Sequence, residues 1–351
     1  MKSIRIGKRV ISEDTPPFVV AEAGVNHNAK PELAIQLIEA AAQAGADAIK
    51  FQNYKAERLV TKSAPVYWNV PGAAKVSSQF ELFNKLDGLP PEAYRDMMQR
   101  AKELGIVLFS TPFSEADTDF LEKLGVPAYK LASADITHHR LLRHVARTGK
   151  PVILSTGTCT LGEIEEAVEV VRKEGNEDII LLHCTLTYPT PFEDANLRMI
   201  PLMQSVFPEC PIGLSDHTYG VNVAIAATAL GCKMMEKHYT LDKGLPDSPD
   251  HKFGVDPKEL KSLVDGTRQV FAALGNAAKR PVASEAPAKA GARRSVVTTQ
   301  PVAAGQRLEE SALDCKRPGT GISPKHFDLV LGRRAKKDIP ADTVLQWEML
   351  D

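Results

Sequence analysis

The chain has 351 residues, of which 43 are basic and 44 acidic, and its formal net charge is −1. A hydrophobic fraction of 43% and a charged fraction of 25% are those of an ordinary globular protein. The near-neutral charge gives no electrostatic basis for binding nucleic acid or a membrane surface, and no apolar run reaches the roughly 18–20 residues of a membrane span. The length favours one large domain followed by a small one.

The N-terminal segment MKSIRIGKRVISEDTPP lacks the apolar core of a signal peptide, so we expect a cytoplasmic location. Five cysteines occur, at positions 159, 184, 210, 232 and 315, and they form no CxxC pair. Their odd number favours reduced thiols, packed as small apolar side chains, over a disulfide framework.

Short apolar runs alternate with segments of helical periodicity from about residue 18 to Gly275. The predicted strands are 18–22, 48–52, 107–111, 128–131, 152–155, 179–183, 212–215 and 234–238. The predicted helices include 31–46, 90–105 and 161–175, each with a glycine at or next to its end. Eight such units over about 255 residues predict an α/β fold, a (β/α)8 TIM barrel. A doubly wound sheet is the competing fold, but no GxGxxG follows the first strand and eight units are many for it.

The composition changes after Gly275. The segment 277–294 is rich in Ala, Lys, Arg and Pro and is predicted to link the barrel, 1–276, to a small β-rich domain, 295–351. Within that domain the runs SVVTTQ (295–300) and LVLGRR (329–334) are predicted as strands. A domain of under about 60 residues would gain stability by docking against another surface.

In (β/α)8 barrels the chemistry takes place at the carboxyl ends of the strands. Every predicted strand ends in at least one polar side chain that is capable of chemistry. These side chains are Glu22, Lys50, Gln52, Ser110, Thr111, Lys130, Ser133, Ser155, His183, Thr185, Ser215, His217, Glu236 and His238. The alternative for any single Ser or Thr is a hydrogen bond to the backbone of a loop.

Lys50 and Lys130 each follow an apolar strand interior, where an ammonium group needs an anion to offset its desolvation. Together with nearby hydroxyl groups they predict a cradle for a phosphate or a carboxylate. The hydroxyl groups are those of Thr111, Ser133, Ser155 and Ser215. In the alternative interpretation, each lysine simply pairs with a neighbouring carboxylate.

His217 and His238 end the seventh and eighth strands, which are neighbours in a closed barrel. Two imidazoles that converge there can share a divalent metal, and Glu236 could hold a metal-bound water. No HxH or HExxH occurs, which favours Mn²⁺ or Mg²⁺ over zinc; alternatively, one histidine only binds substrate. The SDH sequence at 215–217 is no serine-hydrolase relay, because side chains adjacent in sequence cannot form one.

Nine segments resemble the bacterial sialic acid synthases, whose chains end in an antifreeze-like (SAF) domain. They are AEAGVNHN (21–28), AIKFQ (48–52), LFSTPF (108–113), YKLAS (129–133), ILSTG (153–157), LLHCTLTYPTPFEDANL (181–197), IGLSDHTYG (212–220), EKHYTLDKGLPDSPDHK (236–252) and KRPGTGISP (316–324). The resemblance covers essentially the whole chain. It implies an enzyme that condenses phosphoenolpyruvate with the open-chain form of an N-acylated mannosamine-type sugar. The products would be a nine-carbon 2-keto acid and inorganic phosphate, formed with C–O rather than P–O cleavage.

The resemblance also implies a role for each matching residue. Phosphoenolpyruvate would be held by Lys50, Thr111, Lys130, Ser133, Ser155 and Ser215. His217 and His238 would bind Mn²⁺ or Mg²⁺, and Glu22 would manage the water or proton at C2. The sugar would contact Gln52, Phe113, Asp135, Tyr188 and Asp250. Arg317 would reach the barrel from a partner chain, which implies a domain-swapped homodimer.

The chain departs from the family pattern around the sugar. Asp135 stands where many members carry Glu. Leu186 and Thr187 stand where some members carry an amide side chain, and Ala73 stands where some relatives carry the Asn of a PGN sequence. These departures leave the reaction class intact and the identity of the sugar open. N-acetylmannosamine is the leading candidate, followed by the diacetamido-trideoxy sugar that leads to legionaminic acid. The absence of SFE after the lysine strand disfavours pseudaminic acid, and the bacterial form of KRPGTG disfavours a 6-phosphosugar.

Two other classes of function compete with the synthase. The first is a different metal-dependent barrel enzyme, such as an aldolase or a hydrolase; a Schiff-base aldolase would be insensitive to EDTA. The second is a carbohydrate- or ice-binding protein that uses only the C-terminal domain. It would leave Glu22, the two lysines and the histidine pair without a purpose.

Overall fold

The computed structural model describes residues 1–73, 75–87 and 89–351. The chain divides into two compact units, Met1–Gly275 and Asn276–Asp351. The first unit is built on a closed barrel of eight parallel strands with helices between them, which confirms the predicted (β/α)8 barrel.

The strands of the first unit are β1 Ile4–Ile6, β2 Arg9–Ile11, β3 Phe18–Gly24, β4 Ala48–Asn53, β5 Val107–Pro112, β6 Tyr129–Leu131, β7 Val152–Ser155, β8 Ile179–Cys184, β9 Ile212–Asp216 and β10 Met234–His238. Strands β3 to β10 form the barrel in chain order, and β10 closes it by pairing with β3. Each overlaps one of the predicted strands. The sequence analysis did not predict β1 and β2, which form an antiparallel hairpin, because their three-residue strands are too short to show a period.

The helices of the first unit are α1 Pro31–Ala44, α2 Ala56–Leu59, α3 Gln79–Leu86, α4 Pro91–Leu104, α5 Glu115–Leu124, α6 His139–Ala146, α7 Leu161–Lys173, α8 Met199–Val206, α9 Asn222–Ala229 and α10 Pro257–Leu274. Local signals fix their ends. Thr160 and Glu163 form a capping box at the start of α7, and α1 stops at Gly45, whose φ of 82° is the left-handed conformation that glycine adopts freely.

Strand burial explains why the site lies at one end of the barrel. All seven residues of β3 and all six of β8 are buried, because one face of each strand fills the barrel and the other packs on helices. Charged residues and histidines enter the barrel strands from their middle to their carboxyl ends, as with Lys50 in β4, Glu22 in β3 and His183 in β8. The segment 54–90 connects β4 to α4 and carries α2 and α3 beside this end of the barrel.

The second unit has its own apolar core, which includes Val296, Val302, Ile322 and Leu345. Its helices and strands are α11 Ala286–Ala292, β11 Ser295–Thr298, β12 Leu313–Lys316 and α12 Phe327–Val330, and β11 pairs with β12 in antiparallel fashion. No helix in the described part of either unit is long and apolar enough to cross a membrane.

One sequence-based expectation for this unit differs from the structure. The predicted strand at 329–334 is wrong, because the turn that starts at Pro324 leads into α12 and buries Val330 in the core. The segment 277–294, predicted as a linker, contains α11, and all of its side chains are exposed.

Gly213 lies where two neighbouring strands leave no space for a side chain. A Cβ atom there would lie 2.5 Å from the carbonyl oxygen of Met234 and would clash with Leu182. We expect Gly213→Ala to lower the free energy of unfolding by about 2–3 kcal/mol, because backbone and core would have to shift. Urea titration followed by circular dichroism measures this.

Gly162 provides the matched control for Gly213. It lies in the first turn of α7, and a Cβ atom there would be 4.0 Å from the Thr160 hydroxyl. Gly162→Ala should therefore leave the stability unchanged or raise it by up to about 1 kcal/mol. Equal urea midpoints for both variants would contradict the packing argument.

Candidate active site

The carboxyl ends of the barrel strands surround a cavity of about 60 Å³. The predicted site residues that line it are Glu22, Lys50, Gln52, Thr111, Phe113, Lys130, Ser133, Ser155, Tyr188, Ser215, His217 and His238. They come from every strand of the barrel or from the residues that follow it, so only closure of the sheet brings them together. Ala132, Cys184, Leu186 and Glu236 complete the lining.

The two buried lysines are paired with carboxylates and hydroxyl groups. The Nζ atom of Lys50 lies 2.9 Å from an oxygen of Glu22 and donates a hydrogen bond of 2.9 Å to the Thr111 hydroxyl. The Nζ atom of Lys130 lies 3.4 Å from Glu236. Each lysine is therefore paired with a neighbouring carboxylate, as in the alternative interpretation. The same two lysines line the cavity in which the anion cradle is predicted.

Electrostatics keeps these four groups in balance. Burial lowers the pKa of Lys50, but the attraction of Glu22 and Glu236 outweighs it and leaves this pKa above its ordinary value. Burial raises the pKa of Glu236, but the positive charges of Lys130 and Lys50 hold it well below its usual range. For Lys130 burial prevails, and its pKa is lowered. Two positive and two negative charges therefore compensate each other at the bottom of the cavity.

The hydroxyl groups differ in what they already bind. The Ser133 oxygen accepts a hydrogen bond of 2.9 Å from the backbone N–H of Gly157, and Ser215 donates one of 3.1 Å to Glu236. The hydroxyl of Ser155 is buried and, within the described part of the chain, has no hydrogen-bond partner. Because a buried hydroxyl without a partner is unfavourable, Ser155 is the one most ready to bind a ligand.

His217 and His238 lie side by side, with ring centroids 5.2 Å apart. The Nδ1 atom of His217 lies 2.9 Å from the carbonyl oxygen of Thr185, which can only accept, so Nδ1 carries the hydrogen. The Nδ1 atom of His238 lies 3.1 Å from a carboxylate oxygen of Asp250. In His217 Nε2 is thereby left as the atom with a free lone pair.

This arrangement fits a divalent cation. An imidazole whose Nδ1 is held by a carbonyl or a carboxylate is the usual form of a metal-binding histidine. Burial lowers the pKa of His238, yet Asp250 outweighs burial and raises it, so the site favours positive charge. Among residues 1–73, 75–87 and 89–351 there is no cluster of three or more His, Cys, Asp or Glu that could hold a metal ion. Two imidazoles would leave the other coordination positions to water and substrate oxygens.

Two of the predicted sugar contacts are already engaged with these groups. Gln52 donates a hydrogen bond of 2.9 Å to Glu22, and Asp250 lies against His238. Both residues also line a second cavity of about 400 Å³ beside the first. The residues that line both cavities are Gln52, Phe113, Ala132, Leu186, Tyr188 and His238.

The second cavity is largely apolar. Its remaining lining residues are Val25, Leu59, Val60, Tyr67, Trp68, Val70, Gln79, Leu82, Phe83, Leu86, Ala132, Ala134, Asp135, Leu186, Ser248 and Pro249. Among the described residues of its wall there is no lysine or arginine, whereas Asp135 and Asp250 are acidic. One carboxylate oxygen of Asp135 is buried and has no hydrogen-bond partner in the described structure.

The sequence analysis missed the aromatic wall of this cavity. The ring of Trp68 lies 4.9 Å from that of Tyr67 and 6.0 Å from that of Phe83, measured between centroids. All three belong to the segment 54–90, which has no helical or strand period over most of its length. Its only signal is the number of aromatic residues between a strand and a helix.

Arg317 lies in the second unit, where its side chain is exposed. Its contact with the barrel of a partner chain stays a prediction.

A closed barrel with charged and polar side chains at the carboxyl ends of its strands defines the class, a (β/α)8-barrel enzyme. Residues 37–279 match the model of the NeuB family, and residues 293–351 match that of the SAF domain. The chain therefore belongs to the NeuB family of nonulosonic acid synthases, which condense phosphoenolpyruvate with a sugar.

Individual relatives agree with this assignment. An uncharacterized protein of Methanocaldococcus jannaschii is 41% identical over 100% of this chain and 99% of its own length. The N,N'-diacetyllegionaminic acid synthase of Legionella pneumophila is 39% identical over 95% of this chain and 94% of its own. The crystal structure of N-acetylneuraminic acid synthetase from Leptospira borgpetersenii, in complex with citrate, superimposes with a TM-score of 0.73 and 36% identity, over 82% of this chain and 95% of that one.

Asp135 makes the stability of the barrel depend on pH. Burial raises its pKa to about 6 against the opposing charges of His138 and Lys130, so the folded state holds a proton that the unfolded state releases near pH 4. The stability that this proton provides is present below about pH 4 and is lost as the pH rises through about 6. We expect Asp135→Asn to remove this loss and to be more stable than the wild type at pH 7.5, by on the order of 2 kcal/mol.

Urea titrations of both proteins at pH 4.5 and at pH 7.5 measure the effect of Asp135. The difference in unfolding free energy between variant and wild type should grow between the two values. A difference independent of pH would show that Asp135 ionises normally.

Proposed function

We propose that this chain is an N-acetylneuraminate synthase, which condenses phosphoenolpyruvate with N-acetylmannosamine and water to give the nine-carbon 2-keto acid and inorganic phosphate. The observation that carries the proposal is that one cavity holds two buried lysines, a free serine hydroxyl and a pair of imidazoles. An anion and a polarised aldehyde can therefore meet there.

Phosphoenolpyruvate binds to the lysine side of the cavity. Its phosphate and carboxylate groups pair with Lys50 and Lys130. When no anion is bound, Glu22 and Glu236 compensate the charges of these two lysines. The hydroxyl groups of Ser155 and Ser133 donate to phosphate or carboxylate oxygens. A bound anion replaces part of the pairing between the carboxylates and the lysines. The lysine charges stay compensated, so no buried charge is left unpaired.

The imidazole side of the cavity binds a divalent cation, Mn²⁺ or Mg²⁺, through His217 and His238. Bound there, the cation supplies Lewis acidity to the carbonyl oxygen of the sugar aldehyde. Asp250 holds the ring of His238 in position through Nδ1, and the carbonyl oxygen of Thr185 does the same for His217.

The bond changes are balanced by groups in the cavity. A bond forms between C3 of phosphoenolpyruvate and the aldehyde carbon as the π bond of the aldehyde breaks, water adds to C2, and the bond from C2 to the phosphate oxygen breaks to leave a C2 ketone. Of the two protons of the water, one ends on the former aldehyde oxygen and the other leaves with the phosphate. Glu22 takes the proton from the water; its carboxylate is oriented by Gln52 and by Lys50, each 2.9 Å away. Lys130 and the serine hydroxyls stabilise the departing phosphate.

The sugar occupies the larger cavity, with its acyl group and carbon chain against the apolar wall. Asp135 and Asp250 accept hydrogen bonds from its hydroxyl or amide groups. Two carboxylates and no lysine or arginine in the described lining argue against a 6-phosphosugar, because the like charges would repel.

The apolar wall also supports a second candidate substrate, the 2,4-diacetamido-2,4,6-trideoxymannose that leads to legionaminic acid. This sugar carries a methyl group at C6 and a second acyl group. Both are better matched by Val60, Trp68 and Leu82 than by polar side chains.

We expect phosphate release from phosphoenolpyruvate to require both a sugar and the metal. The assay uses Mn²⁺ with and without EDTA, and N-acetylmannosamine or the diacetamido-trideoxy sugar as the acceptor. With ¹⁸O in the bridging oxygen of phosphoenolpyruvate, the label should leave in the phosphate. Turnover of the trideoxy sugar alone would favour the second candidate, and release without any sugar would contradict the synthase.

We also propose that Arg317 completes the site of a partner chain in a domain-swapped homodimer. Mixing two variants, Arg317→Ala and Lys130→Met, tests this directly. In a swapped heterodimer the intact barrel of one chain receives the intact Arg317 of the other, so random pairing restores about one quarter of the sites. Activity that stays at the level of the separate variants would contradict the exchange.

A further inference from the structure

Strands β9 and β10 carry a charged pair on the side that faces away from the cavity. Ser215 pairs in register with Glu236, and the next residues, Asp216 and Lys237, pair with each other. Because successive side chains of a strand point to opposite faces, the first pair lines the cavity and the second lies behind it. The residues that follow are His217 and His238.

The charged pair is buried and holds the chain on both sides of His217. Asp216 is 3% exposed and Lys237 is 1% exposed. The Nζ atom of Lys237 donates to a carboxylate oxygen of Asp216 at 2.7 Å and also to the carbonyl oxygen of Thr218. The other oxygen of Asp216 accepts a hydrogen bond of 2.9 Å from the N–H of Thr218.

Stability alone is a weak reason for such a pair. Removing two charges from water costs about as much free energy as their attraction returns, and apolar residues of similar size often stabilise a protein as well or better. An apolar pair makes no directional hydrogen bonds, so it cannot fix the orientation of the backbone beside it. Lys237 ties the backbone after His217 to the strand that ends in His238, so it fixes the two imidazoles relative to each other.

We propose that Asp216 and Lys237 are positioning residues that set the separation of the two imidazoles and thereby the affinity of the enzyme for its divalent cation. The inference rests on the metal site in the proposed function. Neither side chain is among those lining the cavity, so both act through His217 and His238. Outer residues that orient metal ligands commonly change metal affinity by about 10- to 100-fold when they are replaced.

The test is the binding of Mn²⁺ alone to the full-length protein, measured by titration calorimetry and by the electron paramagnetic resonance signal of the free ion. Lys237→Met keeps the length of the side chain and removes its charge. The double variant Asp216→Asn/Lys237→Met leaves no unpaired buried charge and keeps an acceptor for Thr218, so it covers the case in which the single variant does not fold. We expect Mn²⁺ to bind about 10- to 100-fold more weakly to both variants than to the wild type. The titrations are done at a temperature far below the melting temperature of each variant.

Two further variants make the result specific. Lys150→Met removes a lysine that lies 2.7 Å from Glu122, on the outside of the barrel, and it should bind Mn²⁺ as the wild type does. His217→Ala should lose most of the affinity. Phosphoenolpyruvate binding in EDTA should be the same in the Lys237→Met variant and the wild type, because the lysine cradle is untouched.

The outcomes separate the inference from the proposed function. If the wild type does not bind Mn²⁺, or if His217→Ala binds it equally well, the metal site is wrong and the inference falls with it. If binding depends on His217 but both Lys237 variants match the wild type, only the positioning role is overturned. Equal weakening in Lys150→Met would also overturn it, because the effect would then be general.

Discussion

The structure of the site depends on the compensation of two ammonium groups that lie inside the barrel mouth. Lys50 and Lys130 are each 3% exposed, and an isolated charge at such a depth would cost far more than the marginal stability of a domain. Glu22 and Glu236 supply the opposite charges from two other strands. Lys50 and Glu22 pair across the neighbouring strands β4 and β3, whereas Lys130 and Glu236 lie on β6 and β10 and meet only when the barrel closes, so this second pair links the charges of the site to the closure of the fold.

The period of a strand divides the work between its two faces. On β9 and β10 the inward side chains Ser215 and Glu236 line the smaller cavity, and the outward pair Asp216 and Lys237 binds the backbone beside His217. Function on one face therefore depends on contacts made on the other. A substitution that leaves every lining residue in place can still change the site, because the geometry of the imidazoles is set from behind.

The larger cavity, which the proposed function assigns to the sugar, differs from the smaller one in the chemistry of its wall. Its wall comes largely from the segment 54–90 and from loops after the strands, and it is apolar and aromatic rather than charged. Relatives of this chain carry the names of synthases for different nonulosonic acids, and two of the positions where this sequence departs from the family pattern, Asp135 and Leu186, line this cavity. In the proposed function, reaction class and sugar choice therefore belong to separate parts of one site, the first on strands and the second on loops.

The sequence by itself determined the barrel, its eight strands and most of the residues that converge at their ends. Strand periodicity and chain order can be read from the sequence, and in a closed barrel they fix where each strand ends. It also carried the motifs of the family. It did not determine the partners of the lysines, the aromatic wall, the hairpin of β1 and β2, or the helix that replaced the predicted strand at 329–334. Only the tertiary structure decided that Lys50 meets Glu22, that Asp250 lies against His238 and that Lys237 meets Asp216. These contacts join residues that lie between 12 and 28 positions apart in the chain. Their distances depend on strand register and on the folding of the loops, which no local sequence pattern contains.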